Sequence, residues 1–186
     1  GQRDGLLRAL NDGPAAAQAG FAATAQNRNG WTWVTGVDNF GFDYPKRAVV
    51  AGPYLGGQGE REAIYPGSFV DSDGQPLSGQ HRYQIHFDSL PPVDGFWSLT
   101  VYDSATKMFT PNSIHRYKLG TDTPGLGTNS DGSLDILLSH QQPTAAERAN
   151  WLPTPAGGFY IILRLYQPTD AVLDGTYQLP PMHRTS

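Results

Sequence analysis

Phe159-Tyr160-Ile161-Ile162-Leu163-Arg164-Leu165-Tyr166 is the stretch on which the reading of this chain turns. Taken with a period of two, it sets Phe159, Ile161, Leu163 and Leu165 on one side and Tyr160, Ile162, Arg164 and Tyr166 on the other. The first side is wholly apolar and suits a buried layer. The second mixes aromatic rings with a charge. Gly95-Phe96-Trp97-Ser98-Leu99-Thr100-Val101-Tyr102-Asp103 divides in the same way, with Trp97, Leu99 and Val101 opposite Phe96, Ser98, Thr100 and Tyr102. His81 to Asp88 is a third alternating run, with Tyr83, Ile85 and Phe87 on one face, and Pro91-Pro92 prevents it from continuing.

Working outward, Glu62 to Val70 predicts a strand broken near Pro66-Gly67, and Asp71-Ser72-Asp73-Gly74 a turn. Ile114 to Leu119, Ser133 to His140 after the Asp131-Gly132 turn, and a closing Gly175 to Leu179 complete the set. No helical stretches of about 12 residues separate the strands, so a parallel α/β sheet is disfavoured. The expected class is mainly β, a jelly-roll-like antiparallel β-sandwich with short N-terminal helices.

Arg3 to Gln26 differs, being rich in Ala and Leu. Leu6 and Leu10 share a helical face, and Gly13-Pro14 divides the segment into two short helices, with Pro14 in the first turn of the second. Residues 1–26 are therefore read as an N-terminal helical segment and 27–186 as the β-sandwich domain. Asn27 to Asp43 is aromatic and glycine-punctuated, and Tyr44 to Leu55 predicts a helix capped by Asp43, with Pro45 at its first position.

Composition narrows the function classes. The 186 residues suit one domain with an appendage. With no cysteine there is neither a disulfide framework nor thiolate chemistry. A net charge of −4 without a basic run argues against nucleic-acid binding. No apolar run approaches the roughly 20 residues of a membrane span, and the start at Gly1-Gln2-Arg3-Asp4 lacks a signal-peptide core.

Several blocks resemble the bacterial family called domain of unknown function 1214. They are Pro91 to Asp103, Asn112 with Arg116-Tyr117, Asn129 to Leu134, Asn150-Trp151-Leu152-Pro153, and Phe159 to Tyr166. The resemblance runs from about Ala25 to His183. It implies a jelly-roll sandwich, an exported or envelope-associated bacterial protein with a cytoplasmic home still open, and a C-terminal domain often found after domain of unknown function 1254. It implies no catalytic residue.

Candidate residues come from the strand faces. If the mixed faces lie together, Ser98, Thr100, Tyr102, Arg164 and Tyr166 form an aromatic, Arg-bearing surface of the kind that suits sugars and small polar molecules. The alternative pairs Arg164 with a carboxylate such as Asp103 or Asp135. Asn112, Arg116 and Tyr117 with Asn129 and Asp131 could bind a carboxylate or phosphate, or simply build loops. Trp151 either anchors its connection or lines a pocket.

His81 and His86 stand at an odd spacing, on opposite strand faces, so no metal site is expected there. Asp71 to Gly74 lacks the further ligands of a calcium loop. No hydrolase elbow, zinc-peptidase motif or phosphate loop occurs, and no cofactor is expected. Three functions stay open: binding of a carbohydrate or small polar ligand on the mixed face, hydrolase-like catalysis on that face, or assembly with a partner domain or second copy through the N-terminal helices.

Overall fold

The structure, a computed structural model, describes residues 1–51 and 56–185. In chain order these residues form α1 (Gln2–Thr24), β1 (Gln26–Arg28), β2 (Trp31–Trp33), α2 (Tyr44–Ala51), β3 (Ala63–Ile64), β4 (Gly67–Ser68), β5 (Tyr83–Phe87) and β6 (Trp97–Asp103). There follow β7 (Lys118–Gly120), β8 (Leu134–Ser139), β9 (Trp151–Pro153), β10 (Phe159–Tyr166), α3 (Asp170–Leu173) and β11 (Met182–Arg184). The larger sheet runs β1-β2-β4-β10-β6-β7, with β3 also paired to β10, and the smaller runs β11-β5-β8-β9. The chain is mainly β, as expected.

The alternation in β10 is realised residue by residue: Phe159, Ile161, Leu163 and Leu165 are buried, and the residues between them are half-buried. Trp97, Leu99 and Val101 of β6 join them in one core with Tyr83, Ile85 and Phe87 of β5 and Leu134, Ile136 and Leu138 of β8. The two sheets therefore meet face to face. Tyr83 lies edge-on to Phe159 with ring centroids 5.7 Å apart, and Phe87 lies 6.2 Å from Trp97. Each aliphatic side chain sealed in this layer contributes about 1.5–3 kcal/mol through removal from water. A second, smaller cluster of Val34, Val37 and Val50 packs with Ala25 and Phe40.

The expected break at Pro66-Gly67 separates β3 from β4. Asp71 closes its turn by accepting the backbone N–H groups of Asp73 and Gln75 on Oδ1. Asp43 caps α2 through Oδ1, which accepts the Lys46 N–H at 3.0 Å, and Pro45 lies in the first turn rather than at its first position. The expected continuation of that helix over 52–55 lies outside the described residues.

Elsewhere the structure corrects the expectations. The sheets are not wholly antiparallel: β8 and β9 pair in parallel, which the long connection after His140 allows. Asn150 to Pro153 was expected in that connection, yet Trp151 to Pro153 add a buried edge strand. Of Ile114 to Leu119 only the end pairs, because His115 adopts a left-handed φ of 48° that breaks an extended run. Gly175 to Leu179 is not the closing strand: Gly175 turns the chain at φ 81°, and β11 closes the sheet instead. Gln26–Arg28 and Trp31–Trp33 form a hairpin through Asn29-Gly30, both at positive φ, the pairing favoured by two-residue turns.

The N-terminal segment is one helix rather than two. Pro14 removes one N–H and so one helical hydrogen bond, but the alanines after it have the highest helix propensity and carry the helix through. α1 lies against α2 and leaves Leu6, Leu7 and Leu10 exposed.

Position in these layers sets the cost of truncation. Leu163→Ala, at the centre of the buried face, should lower the unfolding free energy by about 2–5 kcal/mol in urea titrations. Leu10→Ala on the exposed side of α1 should change it by no more than about 0.5 kcal/mol.

Candidate functional site

β6 and β10 pair antiparallel over seven residues, bringing Tyr160 opposite Tyr102, Ile162 opposite Thr100 and Arg164 opposite Ser98. The two mixed faces are thus one surface, on the side of the larger sheet away from the core. Ser98 and Thr100 are small and buried on it, and Arg164 lies half-buried beside them. Its Nη1 donates to Thr100 Oγ1 at 3.0 Å and its Nη2 to the Tyr102 hydroxyl at 2.7 Å. The guanidinium carbon stands 5.7 Å from the centre of the Tyr102 ring.

Aromatic rings cross this surface in a row. Phe69, Tyr160, Tyr102, Phe109 and Tyr117 stack in succession, with centroids 5.2, 5.3, 5.2 and 5.4 Å apart. These separations are those of offset stacking. The row runs from the end of β4 across β10 and β6, through the loop after β6, to the start of β7. At the other end of the β6–β10 pairing Phe96 stacks on Tyr166 at 4.3 Å, and Tyr65 meets Tyr166 edge-on. Phe69, Phe96 and Phe109 are 53%, 49% and 50% exposed, an unusual amount of ring surface left to water on one sheet face. Burial, then the neighbouring Tyr102, raises the pKa of Tyr160 against the opposing effect of Arg164, so its hydroxyl stays neutral.

The carboxylates considered as partners for Arg164 are engaged elsewhere. Asp103 accepts from the backbone N–H groups of Ala105 and Thr106 and from the Thr106 hydroxyl, closing its own turn. Asp135 lies on the other sheet. No ion pair to Arg164 occurs among the described residues.

Asn112, Arg116 and Trp151 come together apart from this surface. Asn112 holds its loop by accepting the Arg116 N–H and donating to the Arg116 and Thr110 carbonyls. Arg116 Nη1 donates to the carbonyls of Arg148, Ala149 and Trp151 at 2.8, 3.0 and 2.9 Å. Burial, then Arg148, eases its pKa below the ordinary arginine value. Trp151 is buried, with its indole N–H on the Ser139 carbonyl. The polar atoms of this group hold β9 to the loop before β7. Asn129 and Asp131 belong instead to the turn before β8, where Asp131 accepts from Ser133.

One pair was not foreseen. On the outer face of the smaller sheet, His86 stands opposite Asp135, with Nδ1 2.7 Å from Oδ1. Asp135 also accepts from Gln84 and Asn129, and Asp88 lies 3.3 Å from His86 Nε2. Alternation places His86 and Asp135 on polar strand faces, but only the β5–β8 register makes them partners. Clefts of about 530 and 590 Å³ border the pair, the first lined by His86, Tyr177 and His183 and the second by Asp135, Asn129 and Asn150.

The sequence profile of "Protein of unknown function (DUF1214)" matches residues 62–170. The chain belongs to this family. The match is narrower than the span from Ala25 to His183 suggested by the blocks, yet it contains every ring of the aromatic row and Arg164. The chain is similar to the VPA0106 protein of Vibrio parahaemolyticus, with 35% identity over 75% of this chain and a TM-score of 0.64. A structure of an uncharacterised protein from Burkholderia cenocepacia is similar in fold, at 19% identity over 71% of this chain and a TM-score of 0.50. This chain spans only about a third of those proteins, 35% and 31% of their lengths. No curated protein matches it.

Within this DUF1214 chain the geometry separates two arginines and one histidine by role. Arg116→Ala should strand three carbonyls and lower the unfolding free energy by about 1–3 kcal/mol in denaturant titrations. His86 is held above its ordinary value of 6.5, chiefly by the hydrogen bond to Asp135, which outweighs burial and is joined by the charges of Asp135, Asp88 and Asp131. Burial acts to raise the pKa of Asp135, but the hydrogen bonds from Asn129, His86 and Gln84 hold it below its ordinary 3.8. A raised histidine stabilises fully below its unfolded value and loses that stabilisation as pH rises through its folded value. A lowered carboxylate stabilises above its unfolded value and loses that as pH falls through its folded one. The pair is therefore worth most between pH 3.8 and 6.5. In an NMR titration of the His86 ring, Asp135→Asn should move the midpoint down; an unmoved midpoint would remove Asp135 as its cause.

Proposed function

We propose that this chain is a binding module whose recognition surface is the outer face of the larger sheet, taking a carbohydrate or another small polar ligand. What carries the reading is the aromatic row with Arg164 set into it. The exposed edges of the stacked rings and the outer faces of the rings at the ends of the row give apolar contact to the C–H groups of a sugar, while a guanidinium and phenol hydroxyls fix its orientation. Tyr102, Arg164, Tyr166, Ser98 and Thr100 share this face, and Phe69, Phe109 and Tyr160 join them. Asn112, Arg116 and Trp151 support the fold around it rather than touch the ligand in this reading.

The same proposal takes the two-sheet arrangement as jelly-roll-like, residues 1–26 as a helical lead and 27–186 as the sandwich domain, in an exported or envelope-associated bacterial protein. No helix among the described residues is long and apolar enough to cross a membrane. Placement after a domain of unknown function 1254 in longer chains belongs to the same proposal, and this chain spans 35% of the VPA0106 protein. A second reading, assembly through α1, is favoured by the exposure of Leu6, Leu7 and Leu10 along it.

Chemical-shift mapping against a panel of neutral and acidic oligosaccharides tests the main reading. Shifts should gather on Tyr102, Tyr160, Arg164 and Tyr166, and Phe69→Ala should weaken binding about two- to tenfold, the worth of one aromatic contact, with an unchanged unfolding midpoint. Silence across the panel, or shifts confined to the clefts beside His86 and Asp135, would contradict it.

A further inference from the structure

We infer that the ligand of this face carries a carboxylate that pairs with Arg164, as an acidic sugar of the uronic-acid kind does. The inference rests on the binding face proposed above and names the chemistry it selects.

Arg164 has five N–H donors. Two of them reach Thr100 and Tyr102, and both acceptors are neutral hydroxyls. The other three have no partner among the described residues, and the guanidinium is planar, the arrangement that grips a carboxylate with two parallel bonds. The cation is half-buried, which costs hydration, yet no carboxylate of the chain answers it among the described residues. This is not for want of acids. The chain holds 17 Asp and Glu residues against 13 Lys and Arg, and Arg61, Arg82 and Lys118 each have an acidic partner.

A second cation acts in the same place. Lys107 Nζ stands 5.4 Å from the centre of the Tyr160 ring, and its one hydrogen bond among the described residues goes to a backbone carbonyl, that of Ser104. Tyr160 and Tyr102 stack on one another, so Lys107 and Arg164 flank one pair of rings. Asp103 lies on the same turn as Lys107 and its charge answers Lys107 in part, so Arg164 is the cation left without a carboxylate beside the rings, in a protein that is negative overall. A neutral sugar would use the rings and leave the guanidinium unanswered. A sugar carboxylate supplies the missing anion, and the hydroxyls of Thr100 and Tyr102 hold the fork still to receive it.

The test compares tri-galacturonate with its fully methyl-esterified form, which keeps the skeleton and loses the charge, by calorimetry and NMR on the full chain. Tri-galacturonate should bind at least about tenfold tighter, the worth of one charge-assisted hydrogen bond. The gap should close in Arg164→Gln and narrow as salt is raised. Arg164→Lys, which keeps the charge without the fork, should fall between. Lys107→Asn provides a variant clear of the half-buried layer. It tolerates the left-handed φ of 63° at that exposed position and should weaken only the acid. Equal binding of acid and ester on the aromatic face would overturn this inference and leave the binding face standing. A preference for the acid that survives Arg164→Gln would also overturn it. If neither sugar binds while neutral glycans shift the same rings, the carboxylate is refuted alone; if nothing in either panel binds, both readings fall.

Discussion

The register between β6 and β10 is the constraint on which the rest of this structure depends. Seven successive pairs, from Phe159 with Asp103 to Leu165 with Trp97, run through the middle of the larger sheet. Because side chains alternate, a slip of one residue along β10 would turn Arg164, Tyr160 and Tyr166 toward the core and Ile161, Leu163 and Leu165 toward water. An unpaired guanidinium in that layer would cost several kcal/mol. The apolar side chains that hold the sheets together and the polar ones that mark the opposite face are therefore chosen by one alignment. Packing against Tyr83, Phe87 and Ile136 fixes it from below, and stacking of Tyr102 on Tyr160 fixes it from above.

Two arginines show how neighbours assign a role. Arg116 gives one nitrogen to three backbone carbonyls and so ties β9 to the loop before β7. Among the described residues Arg164 meets only two hydroxyls and a ring. The first has its hydrogen bonds met by main chain and acts in folding. The second keeps donors and charge in reserve on an aromatic floor, which is the condition for recognising something outside the chain. His86 and Asp135 on the smaller sheet are a third arrangement, a charge pair closed on itself between Gln84, Asn129 and Asp88.

Alternation is local, and it made much of this legible from sequence. The division of 95–103 and 159–166 into apolar and mixed faces holds in the structure, as do the turn at Asp71 and the cap at Asp43. Pairing is not local, and there the sequence was silent. It offered Asp103 and Asp135 as partners for Arg164, whereas strand order carries Asp135 to the other sheet and the turn after β6 holds Asp103. The partnership of His86 with Asp135, and the parallel β9, rest on the same long-range order. Some signals were present and underused: Asn29-Gly30 is a two-residue hairpin turn between short aromatic runs, and the alanines after Pro14 favoured one helix over two. Phe69 and Tyr117 belong to the expected strands 62–70 and 114–119 but fall just outside the paired residues of β4 and β7, and Phe109 lies in a loop, so the aromatic row became visible only in three dimensions.

A crystal structure of the chain with tri-galacturonate bound would test the account most directly. It should show a sugar carboxylate within about 3 Å of the Arg164 guanidinium nitrogens, with the pyranose rings against the exposed edges of the aromatic row. A sugar seated instead in the clefts beside His86 and Asp135, with Arg164 turned onto a carboxylate of the protein itself, would contradict it.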